Sequence, residues 1–160
     1  KRYPALKVSV SATTRDPRPG ELNGVHYYFV SPQEFDAMIE RGDMLEWALV
    51  HGKNKYGTPR GPVDEALAAG KPVLLEIDLA GARQVRTNRP DAQFIFLAPP
   101  SWEELQRRLI GRGTEGPEEQ ARRLATARVE LEAASEFDHV VINDDVERAV
   151  DELARLIGLE

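Results

Sequence analysis

The 160 residues contain no cysteine, which excludes a disulfide framework, a thiol nucleophile and any thiolate metal site. Histidine is scarce, and His26, His51 and His139 are too scattered to form a ligand cluster. No apolar stretch approaches the roughly 18 residues that a membrane span needs, and the opening KRYPALK lacks the apolar core of a signal peptide. Repeats, low-complexity tracts and linkers are also lacking. Positive charge is in deficit, 21 Lys and Arg against 27 Asp and Glu for a net charge of -6. That balance argues against nonspecific binding to a nucleic-acid backbone, so phosphate recognition should be local and aimed at a small ligand. A reducing, cytoplasmic setting fits, with neither membrane nor nucleic acid as partner. What is present, 41% hydrophobic and 30% charged residues, suffices for one domain with a real core and protruding subdomains.

Alternating β-favouring residues predict strands over 7–11 (KVSVS) and 24–30 (GVHYYFV), separated by the turn chemistry of RPGELNG. In SPQEFDAMIERG, Ser31 can cap a helix, Pro32 suits its first position, Glu34 completes a capping box and Gly42 stops it. A strand over 44–50 (MLEWALV) and a short helix over 62–70 follow. The apolar runs at 71–81 (KPVLLEIDLAG) and 92–100 (AQFIFLAPP) have the form of strands buried on both faces. Helices are predicted from the Ser101–Glu104 capping box onward and over 115–134, then a strand at 139–144 and a closing helix at 146–158. Strands alternating with helices imply an α/β protein with a parallel sheet, whose ligands gather at the carboxyl ends of the strands.

Several clusters could carry chemistry. Arg15 and Arg18, three residues apart, stand with Ser11 and Tyr27 as a dense set of phosphate donors, unless they are two solvent-facing arginines of a turn. Glu46 shares a strand face with Met44, Ala48 and Val50 under strict alternation, so its carboxylate needs a partner. Guanine offers adjacent N1–H and 2-amino donors, whereas adenine presents an acceptor at N1; an edge glutamate facing water is the other reading. KYGT adds Tyr56 and Thr58, either as ligand contacts or as an ordinary turn. Glu76 and Asp78 end an apolar run on one face, where Asp78 could hold a magnesium hydration shell or cap a helix. Arg108 and Arg112 lie four apart on one helical face and Arg123 follows a glycine-rich break, which reads as a movable lid or as a solvated face.

The motifs SVSATTRDPRPGE, NGVHYYFV, MLEWALVHG, YGT, LLEIDLAGA, FLAPPSWEEL and RLIGRGTE, in this order, resemble the guanylate kinase family in its bacterial form over essentially the whole chain. The resemblance implies transfer of the ATP γ-phosphate to GMP in purine metabolism, with magnesium and with GMP and ATP as partners. It implies a P-loop nucleoside-monophosphate-kinase fold: a parallel-sheet core (1–9, 62–101, 125–160), a small mixed-β GMP-binding subdomain (10–61) and a helical lid (102–124). By the same resemblance Ser11, Arg15, Arg18, Tyr27 and Tyr56 surround the GMP phosphate, and Glu46 and Thr58 read guanine. Glu76 and Asp78 lie near the base, with Asp78 holding the metal indirectly through water. Arg108, Arg112 and Arg123 contact the transferring phosphates, and Asn143 and Asp144 lie on the adenine side.

One departure bears on activity. The family begins with a strand and a glycine-rich phosphate loop of the form G-x-x-x-x-G-K-[ST], and the 160 residues contain no such motif. The expectation is that the natural protein carries this segment upstream, and that the 160 residues alone bind GMP weakly and do not turn it over. HGKNKYGT also carries one residue more than the commonest family spacing before Tyr56. A noncatalytic module of the same fold, binding phosphopeptides, is the alternative reading.

Overall fold

The computed structural model describes residues 3, 4, 6–110 and 116–159. They form two units, Lys1–Ala92 and Gln93–Glu160. In the first, β1 (Lys7–Val8) pairs in parallel with β6 (Val73–Leu74). A four-stranded sheet has the order β3-β2-β5-β4, comprising β2 (Ala12–Thr13), β3 (Tyr28–Phe29), β4 (Met44–Val50) and β5 (Asn54–Pro59). β2 runs parallel to β3 and antiparallel to β5, which hairpins with β4.

Helix α1 (Pro32–Glu40) begins where the sequence predicts, with the Ser31 hydroxyl accepting from the Glu34 N–H at 3.1 Å. The chain leaves it through Gly42 at φ 75, a left-handed conformation that glycine adopts without strain. The helix packs on the four-stranded sheet around fully buried Phe35, with Ala12, Met44, Met38, Ile39 and Trp47. Removing one such phenyl group from water is worth about 1.5–3 kcal/mol. The Phe35 and Trp47 rings meet edge-on at 6.5 Å. Helix α2 (Arg60–Ala68) and helix α3 (Leu79–Asn88) complete the unit.

The second unit pairs β7 (Ile95–Ala98) in parallel with β8 (His139–Ile142). Around them lie α4 (Trp102–Ile110), α5 (Pro117–Glu132) and α6 (Val146–Ile157). Ser101 caps the α4 start at 3.0 Å and Asp145 caps α6 at 2.9 Å, while Gly158 at φ 86 ends α6.

Several expected elements are shorter or different. The strand at 7–11 keeps two residues as β1, and 24–30 keeps two as β3. The run at 71–81 is not one buried strand: β6 is two half-buried residues, and Leu79–Gly81 are the first turn of α3, a helix absent from the sequence reading. The second apolar run is also only half-buried, with Leu97 52% exposed. Apolarity alone does not separate a buried strand from a short strand followed by a helix. KYGT lies within β5 and is not a turn. Among the described residues three strand pairs are parallel, β1–β6, β2–β3 and β7–β8. The described residues include no helix long and apolar enough to cross a membrane.

Candidate functional site

The first unit gathers two polar clusters. One centres on Glu46. An irregularity between Met44 and Glu46 shifts the register, so that Met44 opposes Pro59 while Glu46 opposes Thr58. The shift lets Met44 and Trp47, an odd number of residues apart, both enter the α1-facing core. Glu46 therefore does not share a face with Met44, as strict alternation predicts, but is freed from that core. The partner that its carboxylate requires is Thr58, itself 1% exposed, whose hydroxyl donates to Glu46 Oε1 at 2.7 Å. Burial pushes the Glu46 carboxyl above the usual carboxylate range; the Thr58 hydroxyl opposes the shift and neighbouring Asp78 adds to it.

The other cluster centres on Arg15. Its guanidinium forks onto both Glu21 oxygens at 3.0 Å, donates to the Asp16 carbonyl at 3.0 Å and lies 5.2 Å above the Tyr27 ring. Tyr27 meets Tyr56 edge-on at 6.0 Å. The Arg15 guanidinium and then the Arg18 backbone N–H hold the Glu21 carboxyl down at about 2, and Glu21, with Tyr56 beside it, raises Arg15 in turn. The fold thus brings Arg15, Tyr27 and Tyr56 together. Arg18 is exposed and tied to the cluster by its N–H to Glu21 at 2.7 Å. Ser11 sits just before β2, its carbonyl accepting from the Tyr28 N–H at 2.8 Å. Two further strand–loop bonds join Thr14 to Lys55 and Asn54.

Glu76 and Asp78 are exposed and lie beyond β6, so period two does not govern them. Asp78 is the N-cap of α3, accepting from the Gly81 N–H at 2.8 Å. The capping contact that the sequence allowed is thus present.

In the second unit, Arg108 donates to Glu104 at 3.2 Å and to the Asn143 carbonyl at 3.4 Å. Asp144 is ion-paired with Arg148, which holds its carboxyl below the usual range. Arg123, 3.8 Å from Glu119, lines a cleft of about 470 Å³ with Phe96, Leu97 and Leu109. Arg112 lies outside the described residues, as does most of the glycine-rich break.

Sequence reasoning missed Glu21, Gln84 and Asn88. Glu21 had a signal: an acid just after the R-x-x-R turn is a natural partner for a fork of donors. Gln84 and Asn88 had none, because their partners are backbone groups more than thirty residues away.

The family model described as guanylate kinase matches residues 2–160. The chain is 61% identical to a guanylate kinase of Thermobifida fusca over 158 residues, covering 99% of this chain and 80% of that protein. To a Streptomyces coelicolor guanylate kinase it is 60% identical over 159 residues, covering 99% of this chain and 80% of that protein. The crystal structure of guanylate kinase from Anaplasma phagocytophilum superposes with a TM-score of 0.74 at 34% identity, covering 97% of this chain and 76% of that one. Fold and sequence together define a nucleoside monophosphate kinase, a transferase with an α/β architecture. Within that class, the chain belongs to the guanylate kinase family, in its bacterial form. Such similarity to enzymes does not favour the noncatalytic module.

Proposed function

We propose that the two clusters of the first unit bind GMP as the acceptor in ATP-dependent phosphorylation, ATP and GMP giving ADP and GDP. The observation that carries this reading is the pair of half-buried Glu46 with buried Thr58, a partly desolvated carboxylate with one oxygen already satisfied and accepting capacity left over. A carboxylate so placed accepts the guanine N1–H and 2-amino hydrogens and repels the N1 lone pair of adenine. Thr58 fixes its orientation, so little ordering entropy is left to lose on binding. Arg15, Arg18, Ser11, Tyr27 and Tyr56 take the phosphate, Arg15 with its fork steadied by Glu21 and its face by Tyr27.

ATP is the co-substrate of this reading, with Arg108, Arg112 and Arg123 stabilising charge on the transferring phosphoryl group and Asn143 and Asp144 on the adenine side. Glu76 lies near the base. Among the described residues no group of three or more acidic or histidine side chains could cage a metal. One exposed carboxylate, Asp78, fits the water-mediated hold that magnesium favours. Magnesium supplies charge neutralisation on the nucleotide phosphates when bound. Residues 10–61 form the GMP-binding subdomain of this scheme, 102–124 the lid, and 1–9, 62–101 and 125–160 the core, in a cytoplasmic enzyme of purine metabolism.

Calorimetric titration with GMP, AMP and a phosphopeptide pool tests the reading. GMP should bind well ahead of AMP, and phosphopeptides not at all. Equal binding of GMP and AMP would overturn it, and capture of phosphopeptides in preference to GMP would restore the noncatalytic alternative.

A further inference from the structure

Among the described residues β4 is an edge strand of its sheet, so one row of its backbone groups has no strand there to pair with. Helix α3 meets that row with two amide side chains. Gln84 Oε1 accepts from the Trp47 N–H at 3.0 Å, and Gln84 Nε2 donates to the Trp47 carbonyl at 2.9 Å. Asn88 Nδ2 donates to the Leu45 carbonyl at 2.9 Å. Four residues apart, Gln84 and Asn88 share a helix face, and their partners are the residues immediately before and after Glu46. The first turn of the same helix closes on the Glu46 side chain itself: a Cβ on Gly81 would stand 3.2 Å from Glu46 Oε2 and 3.1 Å from Asp78 Oδ1. α3 thus fixes the backbone on both sides of Glu46 and begins close to one carboxylate oxygen, while Thr58 holds the other.

We infer that Gln84 and Asn88 are positioning residues for base recognition, setting through the β4 backbone the direction in which Glu46 presents its carboxylate. This rests on the reading of Glu46 as the guanine acceptor. Two side-by-side hydrogen bonds to a planar base tolerate little misalignment, since each weakens steeply as its angle falls. A glutamine amide bonded to both the N–H and the carbonyl of one residue fixes the peptide planes on either side of it, which a single contact would leave free to rock. α3 is also capped by Asp78, so the same rigid element carries the acid at its start and the clamps farther along.

The test compares GMP with IMP, which keeps the N1–H and lacks the 2-amino group. Affinities are measured by calorimetry, with thermal unfolding of every variant alongside. Gln84→Met keeps the shape and removes both hydrogen bonds. It should weaken GMP about tenfold and IMP about twofold, because only GMP depends on aligning two bonds at once. Asn88→Ala, which loses a single bond, should shift the same ratio less and carries the test should Gln84→Met fail to fold. In a Glu46→Gln background, adding Gln84→Met should change the ratio no further. An unchanged ratio in folded Gln84→Met and Asn88→Ala would overturn the inference, leaving the amides as covers for a sheet edge. Additive losses in the double variant would overturn it too, by showing that Gln84 does not act through Glu46. If Glu46→Gln alone leaves the ratio intact while the protein still binds GMP, the reading of Glu46 fails, and the inference with it.

Discussion

Glu21 and Glu46 carry the same functional group within one unit of the fold, yet their carboxyls are displaced in opposite directions, one down to about 2 and the other above the usual range. At the phosphate end, charge is matched by charge. Glu21 answers the Arg15 fork with both oxygens, and the pair lies where water still reaches it. At the base end a carboxylate is half-withdrawn from water, and among the described residues a neutral hydroxyl is its hydrogen-bond donor. A phosphate brings its own charge and needs donors held in readiness; a neutral base needs an acceptor whose desolvation has already been met by folding. The base end therefore stores a cost that a ligand relieves, and the phosphate end stores order without such a cost.

The comparison breaks most severely at Gly57. A Cβ there would stand 2.7 Å from the Glu46 carbonyl oxygen, 2.9 Å from Trp47 Cβ and 3.1 Å from Met44 Sδ. Gly57→Ala must push apart the β4–β5 pair where its register shifts. It should destabilise the protein by about 1–3 kcal/mol, lowering the thermal midpoint by roughly 2–4 °C for each kcal/mol, and should weaken GMP as well. Differential scanning calorimetry with and without GMP checks both effects; an unchanged midpoint would show that the strand accommodates the methyl group.

Glu46→Gln comes next. The glutamine keeps one acceptor and turns donors toward the guanine donors, so GMP should lose about 2 kcal/mol, the range for a hydrogen bond to a charged group. The variant should be no less stable at neutral pH, because it removes a partly desolvated charge. Calorimetric titration and thermal unfolding should therefore move apart, and a parallel loss of both would point to disturbed packing.

Arg15→Lys sharpens the other side, at about 1 kcal/mol. The effect is smaller because Arg15 already spends two of its donors on Glu21. GMP should weaken while guanosine is spared, since an ammonium cannot reproduce the planar fork. Equal losses for both ligands would indicate a folding defect instead.

The smallest effect is on pH dependence. Guanosine carries no titrating phosphate, so its affinity isolates the base end. Because the Glu46 carboxyl is raised, it gains a proton at a higher pH than an ordinary glutamate, and the protonated group no longer accepts both guanine hydrogens. Affinity for guanosine should fall as pH drops through that raised value, and Glu46→Gln should abolish the dependence. Linkage gives opposite signs for stability. Glu21, lowered from 4.5 to about 2, contributes stability above its unfolded value that is lost as pH falls toward 2. Glu46, raised, costs stability while ionised, and that cost is relieved as pH falls.

Elements whose signals are local were legible before folding is considered. Ser31, Pro32 and Gly42 mark α1 because caps and glycine exits act within a turn or two of chain. Ser101 works in the same way at α4. The sequence also indicated, through the need of a strand carboxylate for a partner, that Glu46 is set apart, and through its ordered motifs it carried the family. Which partner that is, and how the carboxylate is aimed, follows from long-range packing. The register shift beside Met44 arises because a core must take Met44 and Trp47 together, which no periodicity within β4 states. Likewise α3 lay hidden in an apolar run, and its Gln84 and Asn88 look like ordinary solvated amides until folding sets them against a strand edge some forty residues earlier in the chain. A hydrogen bond to a backbone group carries no trace in the identity of the residue that supplies it, so pairing of this kind becomes visible only once the chain has folded.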